Sequence, residues 1–523
     1  MVRKNSSIIV LGLCVLASTL PAFGADDPAS QLKQAERLCV KKQFQDAEQV
    51  YLNIVQQATD AEQRFSAQRK LAAVYVAQDK QPLATALVQN ILSDYAQHER
   101  LPHAIHEITE SCHKFGQGVK AKEIYEAILK DQPGHTQRIW LDMGSAIASV
   151  LVGDKDSAIA VTDRLLNEYR ADDRAAEAVG QVAWCHRKRW DYERARVLYR
   201  YVVGTWPDNE RAIYSQRGIV LTSIMLRDPN SARAGTEGLF TMYSQHKDLP
   251  KILISVANEY REHKDYHKAR ELCQYVVDKH ADSQDAIVAQ RGVISSYIGL
   301  KDDPNTDAAI ERLLKDFASD SRIAEVSYRV ARELIWKNAS KAKGLCEYVI
   351  GYWPASEYAI YAKVSLGCLM LQAGDEDAAR AVFDKFMSDC QGQPTLPEVM
   401  GLVSEAYWNQ AMTERAKGLK EQSDLHFGQA LAQCQRIIKE LPDSPDCAPW
   451  AFLCIGEYYR SCGNYDSAIA WYQMLIASWP DSRVTGHAEN LMEELQKRQK
   501  IERSRIERER SISSAKRDGG GLP

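Results

Sequence analysis

The sequence predicts an all-α protein built as an open stack of short helical repeats. Three observations carry this expectation. Seven alanines (Ala47, Ala84, Ala121, Ala158, Ala195, Ala232 and Ala269) stand 37 residues apart, and the series resumes at Ala342, Ala379, Ala430 and Ala468 after a slip near Ala308. A small side chain recurring at one spacing marks the point in each unit where two helices cross closely. Only 17 prolines interrupt the 523 residues, and runs of β-branched residues are few. Hydrophobic residues at 45% and charged residues at 26% describe a folded chain rather than a disordered one. A chain of this length would ordinarily suggest three or four compact domains, but a solenoid grows by adding neighbours and needs no central core.

The first 24 residues read as a secretory leader. Arg3 and Lys4 form a positive start, Ile8 to Leu20 an apolar stretch, and Pro21-Ala22-Phe23-Gly24 sets small residues at the cleavage positions. Leu13 is too large to precede a lipid-modified Cys14. The expected mature chain starts after Gly24, carries no transmembrane segment and resides in the periplasm or cell envelope. The net charge is −4, and losing Arg3 and Lys4 makes it more negative, which excludes the basic footprint of a nucleic-acid binder. Eleven cysteines then remain. Cys273, Cys346 and Cys434 lie four residues after ladder alanines, where Tyr51, Tyr125, Tyr199 and Tyr472 stand in other units, so they read as small core residues. A local bridge among Cys447, Cys454 and Cys462 stays open as an alternative.

The clearest unit runs from about Ala448 to Ser482. Ile455, Gly456 and Tyr459 share a helical face, and Gly463-Asn464-Tyr465 makes a turn. Asp466 or Ser467 supports a second helix, along which Ala468, Tyr472 and Leu475 recur at i, i+4 and i+7 before Pro480 stops it. Other units close at Trp206-Pro207, Trp353-Pro354, Leu441-Pro442 and Gln132-Pro133, and Asp191-Tyr192 and Asp265-Tyr266 open comparable second helices. This pattern resembles the tetratricopeptide repeat (TPR) family. The resemblance implies a right-handed superhelical solenoid of about twelve helix-turn-helix repeats over residues 25–483. A period of 37 against the family's usual 34, with linkers such as Trp-Pro-Asp-Ser, is similar to the bacterial cell-envelope branch, which includes the outer-membrane assembly lipoprotein and the Tol–Pal coordinator protein.

Two departures from the period stand out. The spacing of 51 between Ala379 and Ala430 predicts a longer hairpin over about 397–439, two extra turns on each helix and taller by roughly 10 Å. The stretch Asp302 to Asp307 reads as a loop at the slip. Residues 484–510 read as a capping and charged helix, and 511–523 as a flexible tail.

Catalytic motifs are missing from the sequence. Gly116-Gln117-Gly118 lacks the Lys-Ser/Thr of a phosphate loop, and Cys112-His113 and Cys185-His186 lack the earlier cysteine of a haem site. His103, His106 and His113, beside Glu107 and Glu110, share one helix but not the order of a metalloprotease. The expectation is therefore no cofactor, no metal and no enzyme, with a metal-dependent envelope enzyme on that helix as the remote alternative. The TPR resemblance implies a concave working face formed by first helices. Its family positions map onto Trp184, Arg187, Lys188, Tyr214, Arg217, Lys251, Asn258 and Arg261. Basic heads beside aromatic platforms suit acidic or C-terminal peptide segments. The expected function is an exported scaffold for a protein or peptide partner, with envelope assembly factor as the second reading.

Overall fold

The computed structural model describes residues 28–499 apart from 41, 133, 443, 445, 446, 480, 481 and 483; the leader, the extension after 499 and the tail lie outside the described residues. Every regular element among the described residues is helical. Up to His263 the chain forms one compact unit: α1 Pro28–Val40, α2 Phe44–Gln57, α3 Ala61–Ala77, α4 Gln81–Asp94, α5 Leu101–Lys114, α6 Gly118–Asp131, α7 Arg138–Val152, α8 Lys155–Glu168, α9 Ala175–Lys188, α10 Tyr192–Thr205, α11 Ala212–Met225, α12 Pro229–Met242 and α13 Leu249–Glu262. From Lys264 a second unit holds α14 Tyr266–Lys279, α15 Ala286–Leu300, α16 Asp303–Asp316, α17 Ile323–Leu334, α18 Ala339–Tyr352, α19 Glu357–Gln372, α20 Glu376–Asp389, α21 Leu396–Ala416, α22 Lys420–Glu440, α23 Ala448–Ser461, α24 Tyr465–Ser478 and a last helix over 485–499. Each unit is a helical solenoid with successive first helices side by side: α3, α5, α7, α9, α11 and α13 in one, and α15, α17, α19, α21 and α23 in the other.

Every ladder alanine is buried, from 0% exposure at Ala47 and Ala195 to 5% at Ala158. Four residues on, Tyr125 and Tyr199 fill the space above a glycine of the next first helix, Gly144 and Gly218. The slip is resolved differently from the sequence reading. Ala308 is exposed, and Thr306, 37 residues after Ala269, takes the buried ladder place at 2% exposure. Asp303 to Asp307 is the first turn of α16 rather than a loop, because the Asp302 side chain accepts from the Asn305 N–H and caps the helix. The missing residue lies in the turn before α18 instead. There Asn338 caps the helix, and the left-handed residue found in the neighbouring turns (Trp190, Arg227, Lys264, Lys301, Gly374) has no counterpart.

Those caps form a second ladder: Asp154, Asp191, Asp228, Asp265 and Asp302, then Asn338, Asp375 and Asn464, each accept from an N–H three residues on. In the last hairpin the cap is therefore Asn464, not Asp466 or Ser467. The linkers carry a third repeating contact. The Trp206 indole N–H donates to the Arg170 carbonyl at 3.0 Å, Asn209 to Asp173 at 2.8 Å, and His246 Nε2 lies 3.1 Å from the Glu210 carbonyl, each spanning 36 residues. In these two linkers the side chains tie the linker to the one before it.

Helices α21 and α22 each run 21 residues, where most others run 14. The buried His426 Nδ1 lies 2.7 Å from Glu414 Oε2 inside this hairpin. The last helix lays Ala488 and Leu495 over Tyr472 and Leu475, covering the final apolar face. All eleven cysteines of the described residues are free, and only Cys462 is exposed. No disulfide joins Cys447, Cys454 and Cys462.

An alanine at 218 would place its Cβ 2.5 Å from the Tyr199 ring, so Gly218→Ala destabilises by about 1–3 kcal/mol, as overpacking does. Gly204→Ala meets nothing within 4 Å and stabilises by about 0.5–1 kcal/mol in a denaturant melt. A thiol reagent modifies Cys462 first in the native protein, and the denatured count is the same with and without reductant; a rise on reduction would contradict the free-thiol assignment.

Candidate functional site: a basic pocket on the first helices

Helices α9, α11 and α13 lie side by side, so residues at i and i+3 or i+4 on their free faces form one surface. Trp184 and Arg187 of α9 and Tyr214 and Arg217 of α11 line a cavity of about 330 Å³. Tyr199, Glu177, Gln181 and Arg211 complete its walls, with His103 of α5 at the rim. Four of the eight residues expected from sequence are thereby brought together. Lys251 is exposed and does not line the cavity, while Arg261 donates to Asn258 at 2.9 Å within α13.

Lys188 has another role. Its ammonium sits 4.2 Å from the centre of the Trp184 ring and 3.1 Å from Glu110 Oε1 of α5, 78 residues away. His106, also on α5, packs its ring 4.6 Å from Trp184. Helices α5 and α9 thus meet across α7, whose residues from Ile139 to Ser149 are all buried. Trp184 and Lys188, expected as an open platform and a free cation, are committed to closing the inner face over α7. The histidines are separated by the same event: His106 is buried at 1% exposure, whereas His103 is exposed. No group of three potential metal ligands is assembled among the described residues. Cys185 is buried, and His186 Nδ1 pairs with the capping Asp191 at 2.9 Å, so the Cys-His dipeptide there serves the turn.

What remains chemically unspent is the pair of guanidinium groups. Among the described residues neither Arg187 nor Arg217 has a carboxylate within ion-pair distance; Arg187 lies within hydrogen-bond reach of the Tyr199 hydroxyl, and the buried Arg217 Nε has no partner. Burial, reinforced by the charge of Arg187, makes protonation of Arg217 harder than usual. Burial raises Tyr199 to about 12, against the pull of Arg187, and raises Tyr214 to about 12, where the hydroxyl donates to Asp248 at 2.8 Å. Glu259 of α13 is raised by burial and by Glu262, against the pull of His263, Arg187 and Arg217, so this acid interacts with both guanidinium groups yet is reluctant to ionise. The sequence reading missed Tyr199, which its ladder position assigned to the core, and Glu177, Gln181 and Arg211. The i, i+4, i+7 spacing of Glu177, Gln181 and Trp184 was the available signal.

The clasp generates a pH expectation. Burial would raise the Glu110 carboxyl, but the 3.6 Å approach of His106 and the Lys188 ion pair outweigh it and hold it down at about 2. A carboxyl lowered on folding stabilises above its ordinary 4.5 and loses that contribution as pH falls toward about 2. Thermal melts across that window should show a smaller acid-induced drop in Glu110→Gln than in wild type; identical drops would remove Glu110 from the clasp.

No protein-family model matches the chain, and no curated protein matches it. Solved structures with helical-repeat likeness include the human IFIT1 dimer with m7Gppp-AAAA, 13% identical over 87% of this chain and 96% of that one, with a TM-score of 0.27. A tetratricopeptide repeat protein from Parabacteroides merdae is 14% identical over 58% of this chain and 98% of its own, at 0.28. The apo form of RapI is 11% identical over 68% and 99%, at 0.35. Likeness at this level assigns the chain no ligand.

Proposed function

We propose that this protein is an exported, non-catalytic interaction scaffold that holds an acidic segment of a protein partner on the first-helix face formed by α9, α11 and α13. The observation that carries the reading is the Arg187–Arg217 pair, two cations lining one cavity. Among the described residues the buried Arg217 Nε is unpartnered, and only the charge of Glu259, a carboxyl that burial keeps reluctant to ionise, reaches both. Partly buried charges are costly unless paired, so the face is completed by an anionic ligand. Regular helices on either side supply a preformed surface, which lets an extended segment bind with little rearrangement. The leader-like sequence Met1–Gly24 supports a location in the periplasm or cell envelope, and the Trp-Pro linkers support a kinship with envelope-type repeats.

Fluorescence anisotropy of acidic peptides against wild type and Arg187→Glu/Arg217→Glu tests the reading. The charge reversal should weaken binding at least tenfold, in line with about 1.5–3 kcal/mol for a hydrogen bond to a charged group, while Lys251→Glu on the exposed part of α13 has a smaller effect. Equal affinity in wild type and the double variant would remove this face from consideration.

A further inference from the structure

The cavity between α9 and α11 has a more specific chemistry than a generally basic groove. Lys188 is occupied by the clasp to α5, the Tyr214 hydroxyl by Asp248, and Arg211 lies 3.6 Å from Glu177, so the cations left to meet a ligand are the two guanidinium groups, beside the Trp184 ring that lines the same cavity. Both line the cavity, and the one carboxylate among the described residues whose charge reaches both, Glu259, lies 3.7 Å from His263 and is held back from ionising by burial. A single carboxylate would compensate one charge and leave the other. A group carrying two negative charges on three oxygens compensates both, and its oxygens match the forked N–H donors of two arginines. The volume of about 330 Å³ is roughly ten times the share of one water in the liquid, so it holds such a head group together with a body the size of one side chain or one sugar.

We infer that the Arg187–Arg217 pocket is a binding site for a phosphate monoester. The inference rests on the reading of this face as the partner-binding surface and narrows it to one dianionic anchor. The phosphate can be borne by a side chain of the partner or by a free small molecule such as a sugar phosphate; the head-group chemistry is shared.

The test uses the full chain and inorganic phosphate, followed by calorimetry at low ionic strength, with acetate as the singly charged control. Phosphate should bind saturably at one site, acetate at least tenfold more weakly, and Arg187→Gln/Arg217→Gln should weaken phosphate binding at least tenfold. Absence of saturable phosphate binding, equal affinity for acetate, or unchanged affinity in the double variant overturns the inference. If the double variant does not fold, the single variants Arg187→Lys and Arg217→Lys decide. They keep the charge but lose the fork, so weakened phosphate binding supports the site and unchanged binding overturns it. A phosphoserine peptide and a hexose phosphate, each titrated against wild type, then distinguish the two sources by which binds more tightly than phosphate alone. Failure here is separable from failure of the wider reading. Acidic peptides that bind wild type and respond to charge reversal, with no phosphate binding, sink only the inference; phosphate binding with peptides insensitive to the reversal sinks only the scaffold face.

Discussion

The close crossing of helices at the ladder alanine is the constraint on which the rest of the structure depends. Helices pack about 8–10 Å apart, and the smaller separations require a residue with almost no side chain at the contact. Ala47, Ala84, Ala121, Ala195, Ala269 and their successors supply it, each almost fully buried. Where the crossing leaves room, an aromatic ring or a cysteine four residues on fills it; Tyr199 over Gly218 and Cys273 at the equivalent place are two sizes of the same plug. Because the crossing repeats, first helices fall beside first helices, and a surface built from α9, α11 and α13 becomes continuous without any one repeat encoding it.

Further devices then set how neighbouring repeats meet. Asx caps fix where most second helices begin, from α8 onward with the exception of α22, and linker side chains such as Trp206 and Asn209 bond to the preceding linker along one edge. On the inner face, side chains reach across an intervening helix. Lys188 of α9 meets Glu110 of α5 over α7, and in the second unit Arg332 of α17 meets Glu398 and Glu405 of α21 at 2.8 and 2.6 Å over α19. Each of these ion pairs is partly exposed and contributes modestly on its own. Their effect is to use up cations that would otherwise be available to a ligand, which is why Arg187 and Arg217, in no ion pair among the described residues, stand out.

The repeat was legible in the sequence because it is a matter of phase: a small residue every 37 positions, a turn before it and a stop after it. Identity misled where phase would not have. Ala308 drew attention as an alanine, yet Thr306 holds the ladder place because a threonine can donate its hydroxyl back to the Asp302 carbonyl within its own helix, at 2.7 Å. The aspartates at 154, 191, 228, 265 and 302 were equally periodic and would have located the helix starts. At the candidate site, the shared face of Arg187, Tyr214 and Arg217 came from the first-helix positions that the TPR resemblance implies. The role of Trp184 and Lys188 did not, because their partners His106 and Glu110 lie 78 residues away and are brought near only by the packing of α5 and α9 across α7. Contacts between repeats two steps apart have no signature in local periodicity.

The account gives the Arg187–Arg217 pair the central place, as a preformed receptor for a doubly charged oxyanion. Anomalous diffraction from crystals soaked in selenate, a tetrahedral dianion heavy enough to be located directly, tests this without reference to any partner. The account predicts an anomalous peak between α9 and α11, within hydrogen-bond distance of both guanidinium groups. Selenate found only elsewhere on the surface, with the cavity between α9 and α11 empty, would contradict it.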